Sequence, residues 1–212
     1  AIHMAKEWIA ENGDSVEGLT IRLAGGTLGV AAAMNESAFE TNVIVLPLVF
    51  LLIFAFVMLF YTSWHAGLMM LLAMLFATTL TYAYMGLNGL SIDINTVPVI
   101  AVGIGVGIDY SIYMMDRIRE EMAKCGDLRE SVRRAISTTG MAISFTALTL
   151  MAGIIMWVIF SNLRFQSDAA LLLCVMIVIN GMAAMLLVPS WVLAFRPRFI
   201  TDVYADEDGI LH

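Results

Sequence analysis

Asp109 stands inside the apolar run Val99 to Met115, which reads VIAVGIGVGIDYSIYMM. A run of that length is about what a helix needs to cross a bilayer. A charged, unpaired carboxylate in hydrocarbon costs at least ~2.5–3.5 kcal/mol, so such a residue marks a function or a partner. Desolvation favours the neutral, protonated form of a carboxyl group. The chemistry this position offers is therefore proton carriage: a carboxyl that loads and releases a proton. The alternative is a structural carboxyl held by hydrogen bonds from Tyr110, from hydroxyls of the fourth apolar run, or from Asn180. No lysine, arginine or histidine lies within the five apolar runs, so the sequence provides hydrogen bonds but no internal salt bridge. That favours a neutral resting form over a locked ion pair.

The neighbours of Asp109 are ordered by helical spacing. Gly103 and Gly107 are four apart and share one face, as do Gly105 and Asp109. The first pair forms a strip of small residues where another helix can come close. The second leaves open space one turn from the carboxyl, free for a water or a neighbouring side chain. Tyr113 lies one turn beyond Asp109, and Asp116 near the end of the run. The fourth run carries Thr138, Thr139, Ser144, Thr146 and Thr149. Such hydroxyls often bond only to the carbonyl four residues back. Their clustering next to a helix with a buried carboxyl weakens that purely local reading for Ser144, Thr146 and Thr149. Asn180, followed by Gly181, is mid-membrane in the fifth run and must find partners inside the bundle.

The elements that position these residues follow from composition. The chain has 212 residues, 60% hydrophobic and 14% charged, with mean hydropathy +0.87. Soluble domains carry about 25% charged residues, so this is an integral membrane protein. The apolar runs predict five spans, at roughly 43–62, 66–86, 97–115, 139–160 and 169–195, each of spanning length. Pro47 falls near the start of the first, where a missing N–H costs little. Residues 1–42 are too polar to span. Ala5 to Asn12 reads as a helix end, Leu19 to Ala24 as a short strand, Gly25-Gly26 as its break, and Thr27 to Asn42 as a helix feeding the first span. The fold class expected is all-α: a five-helix transmembrane bundle with a small α/β remnant at the amino terminus.

Six of the eleven basic residues (Arg117, Arg119, Lys124, Arg129, Arg133 and Arg134) lie between the third and fourth spans. That loop is therefore expected in the cytoplasm. Alternation then places the tail 196–212 inside as well, and residues 1–42, Leu87 to Thr96 and Ser161 to Ser167 outside. Asp127-Leu128-Arg129-Glu130 has capping-box spacing. Leu128, Val132, Ala135 and Ile136 then repeat at helical intervals, which predicts an amphipathic helix over about 127–137 lying along the membrane surface. The sixteen methionines read as core and lipid-facing filler. His3, His65 and His212 are scattered, and Cys125 and Cys174 are far apart, so no metal site or disulfide is indicated. No basic stripe suits nucleic acid, and no nucleophile–base pair or cofactor loop suggests an enzyme.

Gly105-Val106-Gly107-Ile108-Asp109-Tyr110 and Thr138-Thr139-Gly140-Met141-Ala142-Ile143-Ser144-Phe145-Thr146-Ala147-Leu148-Thr149, in this order and spacing, resemble the RND superfamily. The closer likeness is to its MmpL-like branch of predicted hydrophobic-compound and lipid exporters. Ser91 to Pro98, leading into the third span, and Leu23 to Gly26, like the end of a periplasmic porter domain, fit that branch. Such transporters are built from two similar halves, and the chain resembles the last part of one half. The tail Phe199 to His212 points mildly to the carboxyl-terminal half.

The resemblance implies a bacterial inner-membrane protein that exports hydrophobic or lipid-like substrates by proton antiport. It makes Asp109 and Tyr110 the relay, with Ser144, Thr146, Thr149 and Asn180 as candidate partners and Gly103, Gly105 and Gly107 as packing glycines. It implies protons as coupling ion and no cofactor or metal. As partners it implies membrane lipids, the substrate, the remainder of the transporter, further copies of it, and periplasmic accessory proteins. Multidrug members place adjacent aspartates and a lysine in the relay, and neither is present in these spans. Two other readings share the five-helix core: a sterol-sensing-like lipid receptor, and a SecDF-like protein-export accessory.

Overall fold

The computed structural model describes residues 7–9, 11, 27–90 and 92–202. Its helices are α1 (Thr27–Tyr61), α2 (Trp64–Leu87), α3 (Thr96–Cys125), α4 (Leu128–Phe160), α5 (Arg164–Phe195) and the single turn α6 (Arg198–Thr201). The first five are long and apolar enough to cross a membrane, and no strand occurs among the described residues. The expected strand Leu19 to Ala24 and the tail beyond Asp202 lie outside them.

The helices are longer than the apolar runs. The connector from Thr27 and the first span form one continuous helix, so Pro47 sits in the interior of α1 and not near a start. There it removes one i to i−4 backbone bond. α3 continues past the apolar run to Cys125, supported in the polar region by Arg117 with Glu120 and Glu121 and by Lys124 with Glu120, at i+3 and i+4 spacing. α5 starts at Arg164, so the loop expected to reach Ser167 is three residues long, its turn closed by Ser167 N–H donating to the Leu163 carbonyl.

The segment expected as a separate amphipathic helix over about 127–137 is continuous with the fourth span. Residues 128–160 are a single helix with no break between Ile136 and Gly140. The ends of α3 and α4 instead form an antiparallel hairpin that prolongs both spans. Gly126 makes the turn at φ 69°, a left-handed conformation that suits glycine. Asp127 caps α4 by accepting from Arg129 N–H. Glu130 does not reach back to complete the box, because it is held by Arg133 at 2.7 Å and Arg134 at 2.9 Å. Those two guanidiniums, Arg133 first, hold its carboxyl down to about 2, so it stays ionised at neutral pH. Ile118, Val132, Ala135 and Ile200 are buried where the hairpin meets α6.

α3 and α5 form the centre of the bundle, with α2 and α4 packed on α5, while α1 rests mainly on α2 and touches α3 little. The core divides into two clusters. One surrounds Met114, Met115, Ile118 and Val188 toward the arginine-rich end. The other surrounds Phe50, Ile100, Leu172 and Met176 toward the opposite end. Methionine fills both, and others such as Met141 and Met182 face outward, as its flexible, apolar side chain allows. If the hairpin is straight, cysteines replacing Arg117 and Thr138, whose side chains meet at 3.3 Å across it, will be joined by a short bifunctional thiol crosslinker. Failure of a folded pair to crosslink would return this segment to a surface-lying helix.

Candidate functional site

α3 is set by its start and by its glycine face. Asp93 accepts from Asn95 N–H and Thr96 N–H, both at 2.9 Å, while its own N–H donates to Thr96 Oγ1 at 2.8 Å. This reciprocal pairing satisfies donors at the helix start. Further along, Asn180 Nδ2 donates to the Gly103 carbonyl at 2.7 Å. A Cβ at Gly107 would lie 2.6 Å from the Asn180 side chain, and one at Gly103 would lie 2.4 Å from Met176. The Gly103–Gly107 strip is thus the close-approach surface the spacing predicts, and α5 is the helix that uses it.

The opposite face carries Asp109. It is exposed on the outside of the bundle, with open space at Gly105 and exposed Tyr113 beyond it. No side-chain hydrogen bond reaches Asp109 among the described residues. Of its expected partners, Asn180 is engaged by the Gly103 carbonyl. Ser144 Oγ donates to the Gly140 carbonyl, Thr146 Oγ1 to the Ala142 carbonyl and Thr149 Oγ1 to the Thr146 carbonyl. The span-four hydroxyls are therefore satisfied within their own helix, and the structure does not bring them to Asp109. Tyr110 faces inward, 3% exposed, and its enclosed hydroxyl has no hydrogen-bond partner among the described residues.

Tyr110 and Thr146 do meet along one cavity of about 650 Å³ between α3, α4 and the end of α1. Tyr113 and Thr139 add hydroxyls to its wall, and Asp116, Arg117, Arg119 and Glu120 line its arginine-rich end. Here the structure pairs groups that the sequence left separate. Tyr61 Oη donates to Asp116 Oδ1 at 2.6 Å across 55 residues of chain. Arg119 lies 5.4 Å from the centre of the Tyr61 ring. Glu121, 5% exposed, pairs with Arg117 at 2.7 Å and faces Arg134 at 3.9 Å. The i+4 spacing of Arg117 and Glu121 is a local signal for that pair. Nothing local announces Tyr61 with Asp116. Among the described residues no His, Cys, Asp or Glu cluster could hold a metal.

Five apolar helices with one carboxyl and its glycine face at mid-span define a multi-pass α-helical membrane protein. The chain belongs to the MMPL family, whose profile matches residues 2–201. Among curated relatives, a protein of Streptomyces coelicolor named as a membrane protein is 27% identical over 88% of this chain and 26% of its own length. One of Methanocaldococcus jannaschii, also named as a membrane protein, is 27% identical over 73% of the chain and 40% of its own length. The trehalose monomycolate exporter MmpL3 of Mycobacterium tuberculosis is 30% identical over 42% of the chain, which is 10% of the exporter. The chain therefore spans well under half the length of these relatives.

The two glycine faces should separate on substitution. Gly107→Ala pushes the Asn180 amide off the Gly103 carbonyl and is expected to destabilise by ~1–3 kcal/mol, as overpacking does. Gly105→Ala, placed in open space, is expected to be neutral or stabilising. Thermal unfolding of the detergent-solubilised 212-residue chain measures both, and equal losses would contradict the placement of α3.

Proposed function

We propose that this chain forms the membrane part of one half of a proton-driven exporter of lipid-like substrates, with Asp109 as the proton carrier. The observation that carries the reading is the position of Asp109. It is a mid-span carboxyl on the outer face of the bundle, beside a glycine-made gap, in a chain of the MMPL family. Left against lipid, a charged carboxyl costs ~2.5–3.5 kcal/mol or more. That face is therefore covered by protein in the assembled molecule, for which the remainder of the transporter is the natural candidate. A proton then moves between Asp109, the adjacent Tyr110 and groups of the covering part.

The substrate class rests on relatives named as exporters of trehalose monomycolate and, in Mycolicibacterium smegmatis, of mycolic acid-containing lipids. In the proposed cycle Asp109 takes a proton from the periplasmic side and becomes neutral. α3 and its covering partner then repack, and α1, continuous with the segment before the first span, carries the motion through residues 27–42 to a periplasmic porter domain, of which the segment before Thr27 is the end. The proton leaves toward the arginine-rich end, which the lysine and arginine bias assigns to the cytoplasm. The cavity reaching from Tyr110 and Thr146 to Asp116 supports that direction. The membrane is the bacterial inner membrane, and further copies and periplasmic accessory proteins complete the assembly.

The proton step is the exposed point. In energised cells expressing the full-length transporter, Asp109→Asn is expected to abolish export of the lipid-like substrate at unchanged membrane abundance, and Tyr110→Phe to reduce it. Normal export by Asp109→Asn would end the antiport scheme.

A further inference from the structure

The arginine-rich end holds one side chain, Arg119, and one apolar cleft that proton carriage does not use. The cavity beside Asp116 is lined by two acids and two arginines, but three of the four are already engaged. Asp116 accepts from Tyr61 Oη. Arg117 and Glu120 pair with one another at 2.7 Å. Arg119 is different: its Nε is buried without a hydrogen-bond partner, no ion pair to it is found among the described residues, and its contact is the face of Tyr61. Arg119 is therefore the arginine of this cavity with no acid paired to it among the described residues, while Asp116 is held by a phenol alone.

A second cleft begins at the same place. It has a volume of about 370 Å³, shows no polar surface, and is bounded by Leu52, Phe56 and Phe60 of α1 and by Ile108 and Ile112 of α3. Phe60 lines both the cleft and the cavity. Leu52, Phe56 and Phe60 are four apart on one helix face, so the cleft runs ~12 Å toward the middle of the bilayer. It exists because α1 leans on α2 and hardly touches α3. A free cation at a membrane surface, continuous with an apolar slot running into the hydrocarbon, has the shape and charge order of one phospholipid.

We propose that this paired site binds a single anionic phospholipid of the leaflet on the arginine-rich side. Its phosphate sits on Arg119 over the Tyr61 ring, and one acyl chain lies along the α1–α3 cleft. The anion is selected because, of the two arginines that line the cavity, Arg117 is matched by Glu120 and Glu121, whereas Arg119 has no acid on it among the described residues. The chain is accepted because the slot has nothing polar to desolvate. Bound this way, the lipid ties α1 to α3 where the protein itself scarcely does. The proposal does not depend on the transported substrate or on a proton cycle.

Native mass spectrometry of the purified full-length protein tests it, with phosphatidylglycerol, phosphatidylcholine or inorganic phosphate as probe. The wild type is expected to retain one phosphatidylglycerol with about fivefold preference over phosphatidylcholine, the size of one arginine acting near an anionic surface. Arg119→Gln should erase the preference. Leu52→Trp, which fills the slot and leaves the arginine, should lower occupancy by both lipids, and it keeps the test open if Arg119→Gln fails to fold. Four results would overturn the proposal. They are absence of preference in the wild type, preference surviving Arg119→Gln, unchanged occupancy in a folded Leu52→Trp, and displacement of the lipid by inorganic phosphate, which would mark a free-anion site. No bound lipid at all would overturn it as well, another part of the transporter then filling the slot.

Discussion

The contact of Asn180 with the glycine face of α3 sets everything else. Within a membrane, helices gain little from hydrophobic association and depend on close packing and interhelical hydrogen bonds. Gly103 and Gly107 leave a trough one side chain deep. Met176 and Asn180 fill it, and the amide closes it with a bond to a backbone carbonyl. That contact fixes the rotation of α3 about its own axis. Once it is fixed, Gly105, Asp109 and Tyr113 must face away from α5, and Tyr110 must face inward.

This rotation explains why the site was only half legible in the sequence. Spacing shows that Gly103 pairs with Gly107 and Gly105 with Asp109, and both faces exist. It does not say which face meets the rest of the chain. Asn180 and Asp109 are both costly polar groups in hydrocarbon, so joining them is the economical guess. The structure instead satisfies Asn180 from a carbonyl and leaves Asp109 for a surface that completes it from outside the bundle. Ser144, Thr146 and Thr149 follow the ordinary habit of membrane hydroxyls and bond to their own helix.

The five spans were readable because hydrocarbon imposes length and polarity on every crossing segment. Their ends were not, because a helix emerging into water is limited by capping and ion pairs, not by hydropathy. α3 runs on through Arg117, Glu120, Glu121 and Lys124, and α4 starts at Leu128 under the Asp127 cap. An amphipathic pattern over 128–137 is the same whether its apolar stripe meets lipid or another helix. Here the stripe meets protein, with Val132 and Ala135 buried in the same cluster as Ile118 of α3. The pairing of Tyr61 with Asp116 spans 55 residues and leaves no periodic trace in the sequence.

The unbroken passage of α3 from Gly103 to Gly126 also has a mechanical meaning. Those 23 residues form a rod ~35 Å long, with its fulcrum at the Asn180 contact and its far end at the hairpin turn. A tilt of about 10° at the fulcrum would carry the turn about 6 Å by the rise of an ideal helix. Because α4 is fastened to the same turn, it cannot stay behind. The hairpin is thus a pointer for the membrane interior: what α3 does at the level of its glycines is displayed, enlarged, in water.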